Sequence, residues 1–335
     1  MTSLKPVVEQ HVPGIKTEST STRERALKVI DNLGPAVVLA ALIVGFALAS
    51  PVFLSFQNMT NILSASSVLL VITLASTTVI LTGSIDLSVG STLALCAVVG
   101  AMLAEYAGTN TLLLMLPLLG LVCGLLNGAV VSFGKLPSFL VTLGTLFAFD
   151  GLANFLSGGQ PITLMPGGFA DLFTGRIAGL PRIALWAIAV LVVTILAYRY
   201  TRFGRYLYAI GGNERTARLC GVPVTQVKLY AFMISGLLVG IAALLQLTRA
   251  SSASPGMGEP FLLLAIGATV MGGTGLAGGT GGAANSIIGV LVIAILNNGM
   301  VLTNVNPHLQ NVVMGIVVVI AVALTMHRRR PDVVK

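Results

Sequence analysis

Ten runs of apolar residues follow one another between Pro35 and His327, over about 36–54, 62–82, 88–107, 112–133, 138–157, 183–200, 229–249, 261–277, 285–303 and 309–326. Each is near the ~20 residues a helix needs to cross ~30 Å of hydrocarbon at ~1.5 Å per residue. Segments such as VVLAALIVGFALAS and LPLLGLVCGLL are apolar on every face, whereas membrane barrels alternate polar and apolar residues over ~10-residue strands. Only 9% of the chain is charged and 55% is hydrophobic, against roughly a quarter charged in a soluble domain. An all-α polytopic membrane protein with about ten transmembrane helices is predicted.

Residues 1–34 are polar and read as a cytoplasmic N-terminal tail, 35–326 as the transmembrane domain, and 327–335 as a basic cytoplasmic C-terminal tail. The first apolar run is too long and too late for a signal peptide, so the first span is expected to stay in the mature chain. Gly- and Pro-rich residues 157–181 link spans five and six on one side, and the basic segment 200–228 links spans six and seven on the other. With both termini inside, 10 spans leave only Arg176, Arg182 and Arg249 of the 19 Lys and Arg residues outside, as basic loops require. The net charge of +8 then reflects loops facing anionic lipid rather than nucleic-acid binding.

Several chemical motifs fail on inspection. GAVVSFGKL (128–136) has five residues between Gly128 and Gly134, and Leu136 stands where a phosphate loop needs Ser or Thr. GTGLAG (273–278) lies between membrane spans with no βαβ unit around it. Cys96, Cys123 and Cys220, like His11, His308 and His327, are isolated, so neither a metal site nor a catalytic dyad is expected, and no HExxH or GxSxG signals an enzyme. No segment between the spans approaches the ~100–200 residues of an ATPase domain, so ATP-driven motion would need a separate chain.

LTGSIDLSVGS (81–91) places Asp86 between two very apolar stretches. An Asp at a helix centre costs roughly 2.5 to 3.5 kcal/mol, which five to ten neighbouring aliphatics could offset. Gly83, Ser84, Ser88, Gly90 and Ser91 around it favour a cap, with Asp86 or Ser88 satisfying free N–H groups at a helix start; a part in a path or gate is the other reading, and the two are compatible. TVILTGSIDLSVGS (78–91) aligns without gaps on TVMGGTGLAGGTGG (269–282), Ile85 meeting Leu276 and Gly90 meeting Gly281. Two weakly similar halves with interrupted helices are therefore expected, as in transporters built from repeats, and Asp86, Ser88, Gly90, Gly278 and Gly281 are the candidates for a translocation path or gate. On the inner side, NERTARLCG (213–221) spells a two-turn helix: Asn213 as N-cap, Glu214 at the positive end, Arg218 toward the negative end, Gly221 for the left-handed stop, Pro223 beyond. So short a helix is marginal alone, which points to docking against something.

LTGSIDLSVGSTLAL, KLPSFLVTLGTL (135–146), FGRYLYAIGGNERTARLCGV (203–222) and VMGGTGLAGGTGGAANSIIGVLVIAILNNGM (270–300) together resemble the membrane-spanning permease of bacterial ABC sugar importers of the ribose, xylose and arabinose type, over about residues 35–326. The resemblance implies a multi-pass protein of the bacterial inner membrane, paired with a second permease copy, with ABC ATP-binding subunits inside and a soluble sugar-binding protein outside. It further implies that ATP and Mg are used by the partner and that no cofactor is bound by this chain. Gly212, Asn213, Glu214, Ala217, Arg218 and Gly221 would form the helix that docks on the ATPase, and Cys220 departs from the small polar residue expected there. Aromatic residues are only 6%, and Trp186 is the sole Trp, which suits a path that holds sugar weakly. The rival is an ion-driven secondary transporter using Asp86, Glu105 or Asp150, which leaves NERTARLCG without work.

Overall fold

The computed structural model describes residues 22–164 and 168–327. Contacts divide the chain into two units, 1–34 and 35–335, and the helix bundle is the second. The outer parts of the expected tails, residues 1–21 and 328–335, lie outside the described residues.

The ten apolar runs correspond to ten long helices: α1 Thr22–Ala49, α2 Phe56–Ile80, α3 Val89–Ala107, α4 Leu112–Gly134, α5 Ser138–Ser157 and α6 Arg182–Tyr200, then, after the short α7 Arg202–Gly212 and α8 Glu214–Leu219, α9 Val224–Ala250, α10 Glu259–Met271, α11 Ala283–Leu302 and α12 Pro307–His327. Seven carry at least 18 residues with the length and hydropathy to span a membrane, and the apolar parts of α1, α10 and α12 are shorter. The chain is an all-α, multi-pass membrane protein.

Several boundaries differ from expectation. α1 begins at Thr22, inside the stretch read as tail, because ERALKV is built of good helix formers, and it stops at Ala49, just before Pro51. The run 261–277 is helical only to Met271. Residues 272–277 are apolar enough to count toward a span, but Gly273 has φ +90° and Gly278, Gly279, Gly281 and Gly282 also take positive φ, a backbone that glycine adopts without the Cβ penalty and a helix cannot use.

α2 is the most enclosed span and packs on α9, α6, α10 and α11. Lacking a hydrophobic drive between helices in lipid, such a bundle closes through small residues and interhelical polar contacts. On α4, Gly120, Gly124 and Gly128 repeat every fourth residue and run along α9, Gly120 against Gly236 and Gly240, Gly124 against Phe232 and Gly236, and Gly128 against Leu229 and Phe232. A Cβ on Gly120 or Gly236 would strike the carbonyl oxygen of the other, so these two helices touch backbone to backbone. Hydroxyls join α2 to α10 and α11, where Thr77 Oγ1 lies 3.2 Å from Thr269 Oγ1 and 2.9 Å from Ser286 Oγ. Asn58 and Asn298 exchange two amide hydrogen bonds of 2.9 Å, tying α2 to α11 near its other end.

Two ends of the bundle follow from this alternation. One carries α7, α8 and the breaks 81–88 and 272–282. The other carries residues 158–164 and 168–181 of the link, whose β1 (Ile162–Thr163) pairs antiparallel with β4 (Ser252–Ala253) after α9, and whose β2 (Arg176–Ile177) and β3 (Leu180–Pro181) form a hairpin.

Candidate functional site

The NERTARLCG helix is α8. The Asn213 side chain accepts the Thr216 N–H at 2.9 Å, a cap worth about 1 kcal/mol. At its far end Gly221 takes φ +81°, its N–H donates to Arg218 O and the Val222 N–H to Ala217 O, the paired bonds of a Schellman stop. Glu214 accepts from Arg218 at 2.9 Å and from Lys228 of α9 at 2.7 Å. The Lys228 hydrogen bond, reinforced by the Lys228 and Arg218 charges, holds the Glu214 carboxyl below its usual range despite some burial.

These contacts sort the sequence candidates. Ala217 is buried and anchors α8 to the bundle rather than offering itself to a partner, because the side of a short helix that packs down is unavailable outside. Gly212, Asn213, Arg218 and Gly221 are exposed, and Glu214 is half-buried between its two cations. Two residues escaped sequence reasoning: Leu219, 82% exposed on α8, and Lys228, which clamps Glu214 from α9. A leucine in a short polar helix next to its stop was the available signal for the first.

α7 lies beneath α8 and is amphipathic, burying Gly204, Leu207 and Ile210. It rests on both Gly-rich breaks at once. Any Cβ on Gly211 would strike Leu81 O and Gly279 N, the Gly279 N–H donates to Leu81 O at 3.0 Å, and Tyr208 Oη donates to Gly281 O at 2.9 Å. The two segments aligned in sequence are thus in contact, a Cβ on Gly83 falling 3.1 Å from Ala277 O.

The five path or gate candidates do not form one site. Asp86 and Ser88 are together and buried. Asp86 Oδ1 accepts both the Ser88 N–H (2.9 Å) and the Ser88 Oγ–H (2.7 Å), and Asn127 Nδ2 of α4 donates to Ser88 Oγ at 2.8 Å. Ser88 precedes α3 but makes no side-chain cap to it, so the capping expectation is corrected: Asp86 satisfies the N–H before the helix, in a local turn, and Ser88 links that turn to α4. Gly278 and Gly281 sit under α7 instead, and Gly90 abuts Gly258 before α10. An amide keeps the acceptor of this turn, so Asp86→Asn is expected to lose only about 1 kcal/mol, whereas Asp86→Leu strands two donors at roughly 3 kcal/mol or more. Unfolding in detergent, followed with temperature, checks the contrast.

Between α8, the 81–88 break and the α4–α5 turn lies a cavity of about 630 Å³, bordered by Ser84, Ser132, Lys135, Arg218 and Lys228. Among the described residues no three His, Cys, Asp or Glu side chains gather where they could hold a metal. Glu105 is exposed near the end of α3, and Asp150 accepts from Asn154 one turn along α5; neither joins Asp86 in a shared ion site.

The family whose pattern matches residues 58–322 is described as branched-chain amino acid transport system / permease component. The chain is 38% identical to the ribose import permease protein of Bacillus subtilis (strain 168) over 92% of its own length and 98% of that protein. It is 36% identical to the Escherichia coli K12 ribose import permease protein over 85% and 91%, and 30% identical to the galactose/methyl galactoside import permease protein of the same strain over 91% and 97%. No solved structure matches. Long apolar helices, two glycine-rich breaks in contact, and near full-length likeness to these proteins place the chain in the family of ABC importer permeases, as a membrane subunit and not an enzyme.

Proposed function

We propose that this chain is the permease of an ATP-driven importer for a monosaccharide or sugar-like solute, supplied by a soluble binding protein on one face and powered by ATP-binding subunits on the other. ATP and Mg belong to those subunits, and this chain carries no cofactor of its own. Two copies form the path in the bacterial inner membrane, embedded in lipid, with both termini cytoplasmic. The orientation rests on charge: Lys135, Arg199, Arg202, Arg205, Arg215, Arg218 and Lys228 belong to the α7–α8 end, and Arg176, Arg182 and Arg249 to the opposite one, as basic cytoplasmic loops demand.

The observation that carries the reading is the helix pair α8–α7. α8 is stopped at both ends by its own hydrogen bonds and projects Leu219 outward. α7 below it touches both breaks of the bundle. A partner that moves α8 therefore acts on α2–α3 and α10–α11 together, which is what a permease driven by a separate ATP-binding subunit needs.

The test is reconstitution of the chain in liposomes with and without its ATP-binding subunit. Uptake is expected only with the subunit, ATP and the binding protein. Accumulation by the lone chain under a proton or sodium gradient would overturn the reading.

A further inference from the structure

α10 is only thirteen residues long, and its one acidic residue, Glu259, is exposed yet stands well away from the α7–α8 end. Thr269 meets Thr77, three residues before the end of α2. Glu259 stands ten residues earlier on α10, about 15 Å farther from the α7–α8 end. A second route gives a similar depth. Gly258 packs on Gly90, in the first turn of α3. Just below Gly90, Ser88 bonds Asn127, seven residues short of the end of α4, or about 10 Å inward. Glu259 thus lies within the ~30 Å hydrocarbon thickness, on the face of α10 where Leu263, one turn on, is 66% exposed.

No side-chain donor of the described residues reaches the Glu259 carboxylate, the two ion pairs among them being those of Glu214. α2, α3, α11 and α12, which surround α10, hold no Lys or Arg, nor does α10. An ionised side chain facing lipid at this depth is costly and its kind occurs facing a bundle interior or a water-filled cavity. A dry contact with the same face of a second copy would be no better, because these helices bring no cation to it. Water is the surrounding that suits it.

We infer that Glu259 lines a water-filled solute path and acts there as a charge filter, accepting hydroxyl hydrogens from neutral polyhydroxylated solutes and repelling anionic ones such as sugar phosphates. This rests on the transport reading above and names a chemical class for its cargo. The carboxylate has two oxygens free to accept from adjacent hydroxyls, and a single such contact keeps the hold on the solute weak enough for release.

The experiment is thiol labelling of the full-length chain in membrane vesicles, in a Cys220→Ser background that leaves the buried Cys96 and Cys123. Glu259→Cys and Leu263→Cys are expected to react with small charged methanethiosulfonates at least about tenfold faster than Cys96, which is 1% exposed inside α3, because a buried structural thiol is inert to reagents that cannot reach it. At Leu263→Cys, the ratio of the cationic trimethylammonium reagent rate to the anionic sulfonate reagent rate should fall about tenfold when Glu259→Gln is added, from Coulomb interaction across one ~5.4 Å turn of water-filled space. Protection of both cysteines would overturn the path assignment, and an unchanged ratio would overturn the filter. Labelling needs no ATP-binding subunit, so failure of ATP-driven uptake would count against the transport reading without touching this result.

Discussion

Gly211→Val is expected to cut solute uptake at least about tenfold while the ATP-binding subunit still associates and hydrolyses ATP. Even the first carbon of a side chain at 211 would collide with Leu81 O and Gly279 N and approach Gly278 C at 2.9 Å. All three are backbone atoms, so nothing can rotate away, and α7 has to lift off the two breaks. Overpacking of this sort typically costs 1–3 kcal/mol, and ~1.4 kcal/mol already shifts an equilibrium tenfold. The strain falls on the join between α7 and the bundle, leaving α8 and its caps intact. Parallel measurement of uptake and ATP hydrolysis in proteoliposomes reads the outcome: uptake that keeps pace with hydrolysis would remove this contact from the route by which motion reaches the spans. Tyr208→Phe, which removes only the hydrogen bond to Gly281 O, should be much milder, at about 1 kcal/mol.

Leu219→Asp is expected to weaken association with the ATP-binding subunit by about 30-fold or more. Burying a leucine is worth roughly 1.5–3 kcal/mol, and a central anchor of an interface costs 2 kcal/mol or more when removed. The folded chain itself should tolerate the change, because Leu219 is 82% exposed and α8 is held by Asn213, Ala217 and Gly221. Arg218→Glu should also abolish co-purification, yet for two reasons at once: it reverses an exposed charge and places a like charge one turn from Glu214, which weakens the helix. Leu219→Asp, by contrast, leaves the Glu214–Arg218 pair in place. Quantifying the ATP-binding subunit that co-purifies at equal levels of membrane-inserted chain decides; full recovery with Leu219→Asp would take α8 out of the docking surface.

The parts of this molecule readable in its sequence are those set by neighbours a few residues apart. α8 is legible because every device that makes it, the Asn213 cap, the Glu214–Arg218 pair and the Gly221 stop, acts within nine residues. The Gly-rich breaks are legible as interruptions for the same reason. Their consequences are not. Nothing in LTGSIDLSVGS says that Ser88 will find Asn127 on α4, nor that Leu81 will accept from Gly279, nearly two hundred residues away. Asp86 reads as a cap or a gate because its immediate neighbours are Ser and Gly; only the position of Ser88 turns the cap into a local turn bonded to α4. Glu259 is inconspicuous because GEPF reads as an ordinary helix start, and its depth depends on where α2 and α3 lie.

Hydropathy is a sum along the chain, so the all-α, multi-pass character and the distribution of basic residues between the apolar runs were determined by sequence alone. The shortened α10 shows the limit of that sum: residues 272–277 are apolar enough for a span, but the sum is blind to the left-handed φ of Gly273. Which glycine meets which was decided in three dimensions. Removing a Cβ permits close approach of two backbones without specifying the second, and the pairing of Gly120 with Gly236, Gly90 with Gly258 and Gly211 with Gly278 and Gly279 emerges only when all the helices pack at once.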